Sequence, residues 1–224
     1  MFRLPAAPLF FSVALMTALA GFGVLFDRLA TSSTQAEASP AQHAALERDR
    51  ASPEVLQVAK WAVNSNDHAG LPFFVVDKTK ARLFAFDEAG RLRASTSVLL
   101  GSRRGDGAAV PETPAGRFVS DTWRTALDDG IVWIDGRAAL SLHRASSSAA
   151  PGRAAQRLAS QTVDDKRISD GSLHVADEFY GRYVAPLRAG GSIAYVLPEV
   201  LPMGQLFALT DDLPEAPIAH RRPS

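Results

Sequence analysis

The chain has 224 residues, with 24 Lys plus Arg against 24 Asp plus Glu, and no cysteine. Balanced charge leaves no basic excess to drive binding to nucleic acid. The missing cysteines exclude disulfides, thiolate metal sites and thiol nucleophiles together.

Residues 4–26 carry no charge and are bounded by Arg3 and by Asp27-Arg28. Ala18-Leu19-Ala20 offers a small-residue cleavage site for a signal peptide. The same stretch also reaches the roughly 20 apolar residues that a single membrane span needs. Residues 1–28 are therefore expected to be a signal peptide or an inner-membrane anchor. Either one places the rest of the chain outside the cytoplasm. Residues 29–51 are small, polar and aperiodic, which reads as a tether. The remainder is one domain's worth of chain, over residues 52–198.

Ser52-Pro53-Glu54 has the pattern of a helix start, and Val55, Ala59, Ala62 and Val63 follow at helical spacing. Asn64 to Gly70 end that helix. Three short apolar runs then alternate with turn residues: Phe73 to Val76, Arg82 to Phe86 and Leu92 to Leu100. They predict a strand meander. Gly101 to Gly116 is a Gly- and Pro-rich loop of the long kind that compact domains reserve for function or mobility. Arg117-Phe118-Val119 resumes a strand. Ile131 to Ile134, the Asp135-Gly136 turn and Ala139 to His143 predict a hairpin. Residues 145–165 are rich in small residues and predict a second long loop. Residues 176–185 predict a short helix, and Ser192 to Leu197 a last strand. The tail, residues 199–224, is Pro-rich. The expected fold class is mainly β, a sandwich- or barrel-like sheet with one helix before it and one after the Gly171-Ser172 loop.

The chemistry concentrates at Ser169-Asp170-Gly171-Ser172. A serine beside glycine at a helix entrance has an exposed hydroxyl near backbone N–H groups, as an acyl-transfer nucleophile requires. A serine there is also a favoured helix cap. A nucleophile needs a base within reach, and the candidates are His143 and His174. Asp170, Ser172 and His174 are spaced i, i+2, i+4. If the segment were extended they would share one face as an acid–base–hydroxyl set; a helix beginning there would separate them. Asp128-Asp129, Asp164-Asp165 and Asp211-Asp212 lack histidines at ligand spacing, so no metal and no cofactor is expected. Trp133 and Trp123 read as core or sheet-face residues, with stacking on a ligand as an alternative for Trp123.

The stretches P-F-F-V-V-D-K, T-P-A-G-R-F, I-V-W-I-D-G-R-A-A-L-S-L-H-R, R-L-A-S, R-I-S-D-G-S-L-H-V and Y-V-L-P-E, in this order, carry a resemblance over roughly residues 53–198. They resemble the L,D-transpeptidase family, whose YkuD-type domain cross-links bacterial peptidoglycan. The resemblance implies a β-rich fold in which a histidine activates a cysteine that attacks the peptidoglycan stem peptide. The family's motif reads Ser, a variable residue often His or Tyr, Gly, Cys, an apolar residue, then Arg or Asn. Here Ser169 and Gly171 match, and His143 falls where the catalytic histidine falls. Ser172 replaces the cysteine, and His174 replaces Arg or Asn.

The replacement matters because a thiol beside histidine is partly ionised at neutral pH, whereas a hydroxyl must lose its proton during attack. The resemblance therefore implies catalytic residues His143, Gly171 and Ser172 in an impaired site. Ser169, Asp170, His174, Arg157 and Arg167 are the substrate-binding candidates, the arginines as clamps for a stem-peptide carboxylate. Three functions follow: a periplasmic binder of peptidoglycan stem peptides with impaired catalysis, an active acyl-transfer enzyme using Ser172 with His143, and a membrane-tethered protein-interaction module.

Overall fold

The computed structural model describes residues 51–136 and 138–209. The apolar segment 4–26, the tether as far as residue 50 and the tail from residue 210 lie outside the described residues. No helix among the described residues is long and apolar enough to cross a membrane.

Helix α1 runs over Pro53–Asn64, and the Ser52 hydroxyl accepts from the Val55 N–H at 3.4 Å. Its buried stripe is Val55, Val58, Ala59 and Ala62. Strands β1 (Phe73–Asp77), β2 (Arg82–Phe86) and β3 (Leu92–Ser97) form the expected meander. A short β4 (Leu100–Gly101) precedes the Gly-rich loop, and β5 (Gly116–Ser120) follows it. Next come α2 (Thr122–Leu127), β6 (Ile131–Asp135) and β7 (Ala138–Arg144). Helix α3 (Pro151–Ala159) leads to β8 (Arg167–Ser169) and β9 (Leu173–Val175). Helical turns over Asp177–Phe179, Tyr180–Val184 and Ala185–Leu187 then lead to β10 (Ile193–Val196).

The protein is mainly β. One eight-stranded sheet has the order β3-β2-β1-β10-β5-β6-β7-β9 and curls nearly closed, while β4 and β8 pair separately. The pairs β1–β10 and β7–β9 are parallel, and the other neighbours in the large sheet are antiparallel. Period-2 alternation divides the core. Phe74 and Val76 join Phe118, Trp133, Leu142, Leu173 and Val175 on one face. Phe73 and Val75 join the α1 stripe on the other. Both faces of β1 are therefore covered, which explains its unbroken apolar run.

Several stretches differ from the sequence expectation: the run Leu92 to Leu100 breaks into β3 and the separately paired β4, and α2 forms where no element is expected. Residues 145–165 contain α3, where Pro151 supplies the pre-set φ of a first helical turn. Leu173–Val175 is a strand rather than a helix start, because it pairs with β7. Trp133 is buried and its indole donates to Ser192 Oγ at 3.0 Å, but Trp123 on α2 is 71% exposed. The packed chain continues beyond residue 198: Phe207 is buried against Trp61 and Tyr195.

A buried charge cluster ties the Gly-rich loop to this frame. The Lys78 ammonium is fully buried and donates to Asp106 Oδ1 at 2.7 Å and to the Gly105 and Thr113 carbonyls at 2.6 and 2.9 Å. Asp106 accepts the backbone N–H groups of Glu199, Val200 and Leu201 at 2.7–2.9 Å. Arg167 pairs with Glu199 beside it. Burial draws the Lys78 ammonium below its ordinary value, opposed by the Asp106 bond. Burial pushes Asp106 up, but the Lys78 bond and those three N–H groups outweigh it and hold the carboxyl below its ordinary value. Removing one partner would strand a buried charge. Asp106→Ala is expected to cost about 3–5 kcal/mol, read by urea denaturation; an unchanged unfolding midpoint would show that the loop does not depend on this pair.

Candidate functional site

The Ser169–Ser172 loop joins β8 to β9 and is held from beneath by the T-P-A-G segment. Thr113 Oγ1, buried, donates to the Gly171 carbonyl at 3.0 Å and accepts from the Gly101 N–H at 2.8 Å. Gly171 has φ +119°, and a Cβ there would stand 2.5 Å from the Glu112 carbonyl oxygen. Glycine is needed at this position for both reasons. Ser169 Oγ donates to the Ser172 carbonyl at 2.6 Å and accepts from the Gly171 N–H at 3.2 Å, which closes the loop on itself.

Parallel pairing sets the histidines side by side, with His143 of β7 opposite His174 of β9 and ring centroids 5.5 Å apart. Leu99 bonds His174 through both backbone groups and fixes β9 from its other side. The extended backbone brings Ser172 and His174 onto one face. His174 Nε2 lies 3.1 Å from Ser172 Oγ. His174 Nδ1 lies 3.3 Å from the Arg144 carbonyl, which can only accept. That partner assigns the hydrogen to Nδ1 and leaves the Nε2 lone pair facing the hydroxyl.

Asp170 completes the set. Its Oδ1 accepts from Ser172 Oγ at 2.7 Å and from the Ser172 N–H at 3.2 Å. The serine has one proton, and both the carboxylate and the imidazole can take it. The Ser172 hydroxyl bond is the main cause that holds Asp170 below the ordinary carboxylate value, against a smaller opposing effect of burial. Burial is the main cause that lowers His174; the Arg144 carbonyl opposes it and His143 adds to it. Neutral His174 can act as a base, but the shorter bond takes the serine proton to Asp170.

His143 does not bond Ser172. Its Nδ1 faces Asp129 Oδ1 at 2.9 Å and Asp128 Oδ1 at 3.4 Å. No spacing in the chain signals that these aspartates meet a histidine, because the contact is made across the β6–β7 hairpin. Two features bring them there. Gly130 allows the close approach, since a Cβ at that position would stand 2.6 Å from His143 Nδ1. Arg188 gathers the Thr125, Asp128, Asp129 and Gly130 carbonyls, each at 2.7 Å. Asp128, Asp129 and His143 are the residues among those described that could hold a metal ion, with ligand atoms within 4.8 Å of one another.

The two arginines expected to bind a carboxylate are engaged elsewhere. The Arg167 side chain is 5% exposed and bonds Glu199 and the Lys78 carbonyl. Arg157 pairs with Asp165, whose other oxygen accepts from Ser160 at 2.6 Å. It lines an open pocket with Arg153 and Gln156. Among the described residues, neither arginine bonds the Ser172 loop.

No protein-family model matches the chain, and no curated protein matches it.

Because the fold disfavours the charged form of His174, the unfolded chain takes up this proton first as pH falls. The contribution to stability is complete above the ordinary value of 6.5 and is lost as pH drops through the lower folded value. Denaturant unfolding at pH 7 and pH 5 should show a smaller acid loss for His174→Gln than for the unaltered protein. Equal losses would mean that the imidazole is not desolvated.

Proposed function

We propose that this is a periplasmic, L,D-transpeptidase-like domain that binds peptidoglycan stem peptides and has lost efficient acyl transfer. The family resemblance supplies the ligand class, and the uncharged segment 4–26 supplies the export route. The observation that carries the loss of turnover is the state of the two N–H groups at the nucleophile. The Gly171 N–H is taken by Ser169 Oγ, and the Ser172 N–H is taken by the Asp170 carboxylate. A tetrahedral intermediate needs free donors where its oxyanion develops, and each is worth about 10²–10³-fold in rate. A carboxylate in that place both withholds the donor and repels the oxyanion. Serine in place of a thiol adds to the loss, since no ionised nucleophile is ready before substrate arrives.

The retained frame supports ligand binding. Thr113 and Gly171 still brace the loop, and His143 still stands on the neighbouring strand. A second reading, an acyl-transfer enzyme that uses Ser172, is favoured by the 3.1 Å approach of His174 Nε2. In that reading His174, rather than His143, takes the proton.

The test is incubation of the purified protein with defined tetrapeptide and pentapeptide stems. The expected result is saturable binding with NMR shifts confined to the Ser169–His174 loop and its braces, and no cross-linked or cleaved product by mass spectrometry. Absence of binding would remove the proposal, and steady product formation would favour the second reading.

A further inference from the structure

We propose that Asp170 is an internal blocking group, and that the loop conceals a serine acylation site for carbonyl or phosphoryl electrophiles which opens when this carboxylate is removed. The inference rests on the reading of Ser172 as the residue at the nucleophile position, and it deepens that reading by naming what silences it.

One carboxylate oxygen does two things at once. It accepts the Ser172 hydroxyl at 2.7 Å, while His174 Nε2 waits at 3.1 Å for the same proton. It also accepts the Ser172 N–H, the donor that an oxyanion formed on Ser172 would use. The hydroxyl is thus directed away from its base, and the seat for negative charge is already filled by negative charge. Two other parts that a serine nucleophile needs, an oriented base and a fixed backbone, are in place, while the Gly171 N–H stays bonded to Ser169 Oγ. His174 is oriented through Nδ1 by the Arg144 carbonyl. The backbone at Gly171 is fixed by Thr113. Ser172 is half-buried just before β9, with its Oγ 3.1 Å from the imidazole Nε2.

Once Asp170 is gone, the chemistry balances without any further group. Ser172 Oγ forms a bond to the electrophilic carbon or phosphorus as its proton passes to His174 Nε2. The oxygen of the electrophile takes negative charge against the released Ser172 N–H. The leaving group departs with its electron pair, and the imidazolium returns the proton to it or to water.

The probe is a fluorophosphonate, which gives a serine–phosphorus bond and releases fluoride. Labelling of the full chain at Ser172 is followed by mass spectrometry, with Asp170→Asn and Asp170→Gly beside the unaltered protein. Asparagine keeps the shape and removes the charge; glycine removes both. The expected order of rates is unaltered, then Asn, then Gly, with Gly gaining about 100-fold or more from a freed oxyanion donor. Adding His174→Ala to the glycine variant should abolish the gain. A folded Asp170→Gly protein that labels no faster than the unaltered one would overturn the proposal, as would equal labelling with and without His174. If both single variants fail to fold, labelling of the unaltered protein decides: rapid modification of Ser172 would show that Asp170 blocks nothing, and a Ser172 amide strongly protected from hydrogen exchange would uphold the block. The probe contains no peptide, so a negative result here leaves the stem-peptide reading standing, and failed peptide binding leaves this one standing.

Discussion

The parallel pairing of β9 with β7 is the constraint on which the site depends. It forces residues 173–175 to extend, with His143 opposite His174 and Leu142 opposite Leu173. An extended backbone repeats every two residues, so Ser172 and His174 come to one side, and Asp170 reaches the same hydroxyl from the loop. A helix beginning at Ser172 would have turned the hydroxyl into a cap and sent the imidazole elsewhere. Strand pairing, rather than any property of serine itself, makes the three side chains one unit.

That unit sits on a rigid support. Thr113 links the Gly-rich loop to Gly171, and the Lys78–Asp106 pair anchors the same loop to residues 199–201. The anchor is buried and charged, so its partners depend on one another; its value lies in fixing one loop geometry as much as in net stability. Arg167 belongs to this anchor. Its nearness in sequence to Ser172 suggested a ligand clamp, but its guanidinium is spent on Glu199. On the far side of β7, Arg188 performs a similar task for the loop that carries Asp128 and Asp129 to His143.

Much of the fold was legible because its signals are local. Ser52 and Pro53 announce α1, the apolar runs from Phe73 to Phe86 announce the meander, and Asp135-Gly136 announces a hairpin whose register pairs Asp135 with Ala138. Helix α3 was missed because Pro151 to Ala159 is dominated by small and charged residues, with Ala154 alone buried. Strand β9 was missed because three residues are too few to show a period, and a distant partner decides their conformation. The i, i+2, i+4 spacing of Asp170, Ser172 and His174 held the information, but only for a reader who already knew the segment was extended. The meeting of His143 with Asp128 and Asp129 had no sequence signal, since an arginine some 60 residues away shapes that loop.

At the centre of the site, the Asp170 carboxylate holds the backbone donor of Ser172. A pH titration of the Ser172 amide by NMR tests it directly. The amide proton is expected downfield and should move upfield as the carboxylate is protonated, with a midpoint below the ordinary aspartate value of 3.8. An amide shift that ignores the titration of Asp170 would contradict it, because the donor would then be free for an oxyanion all along.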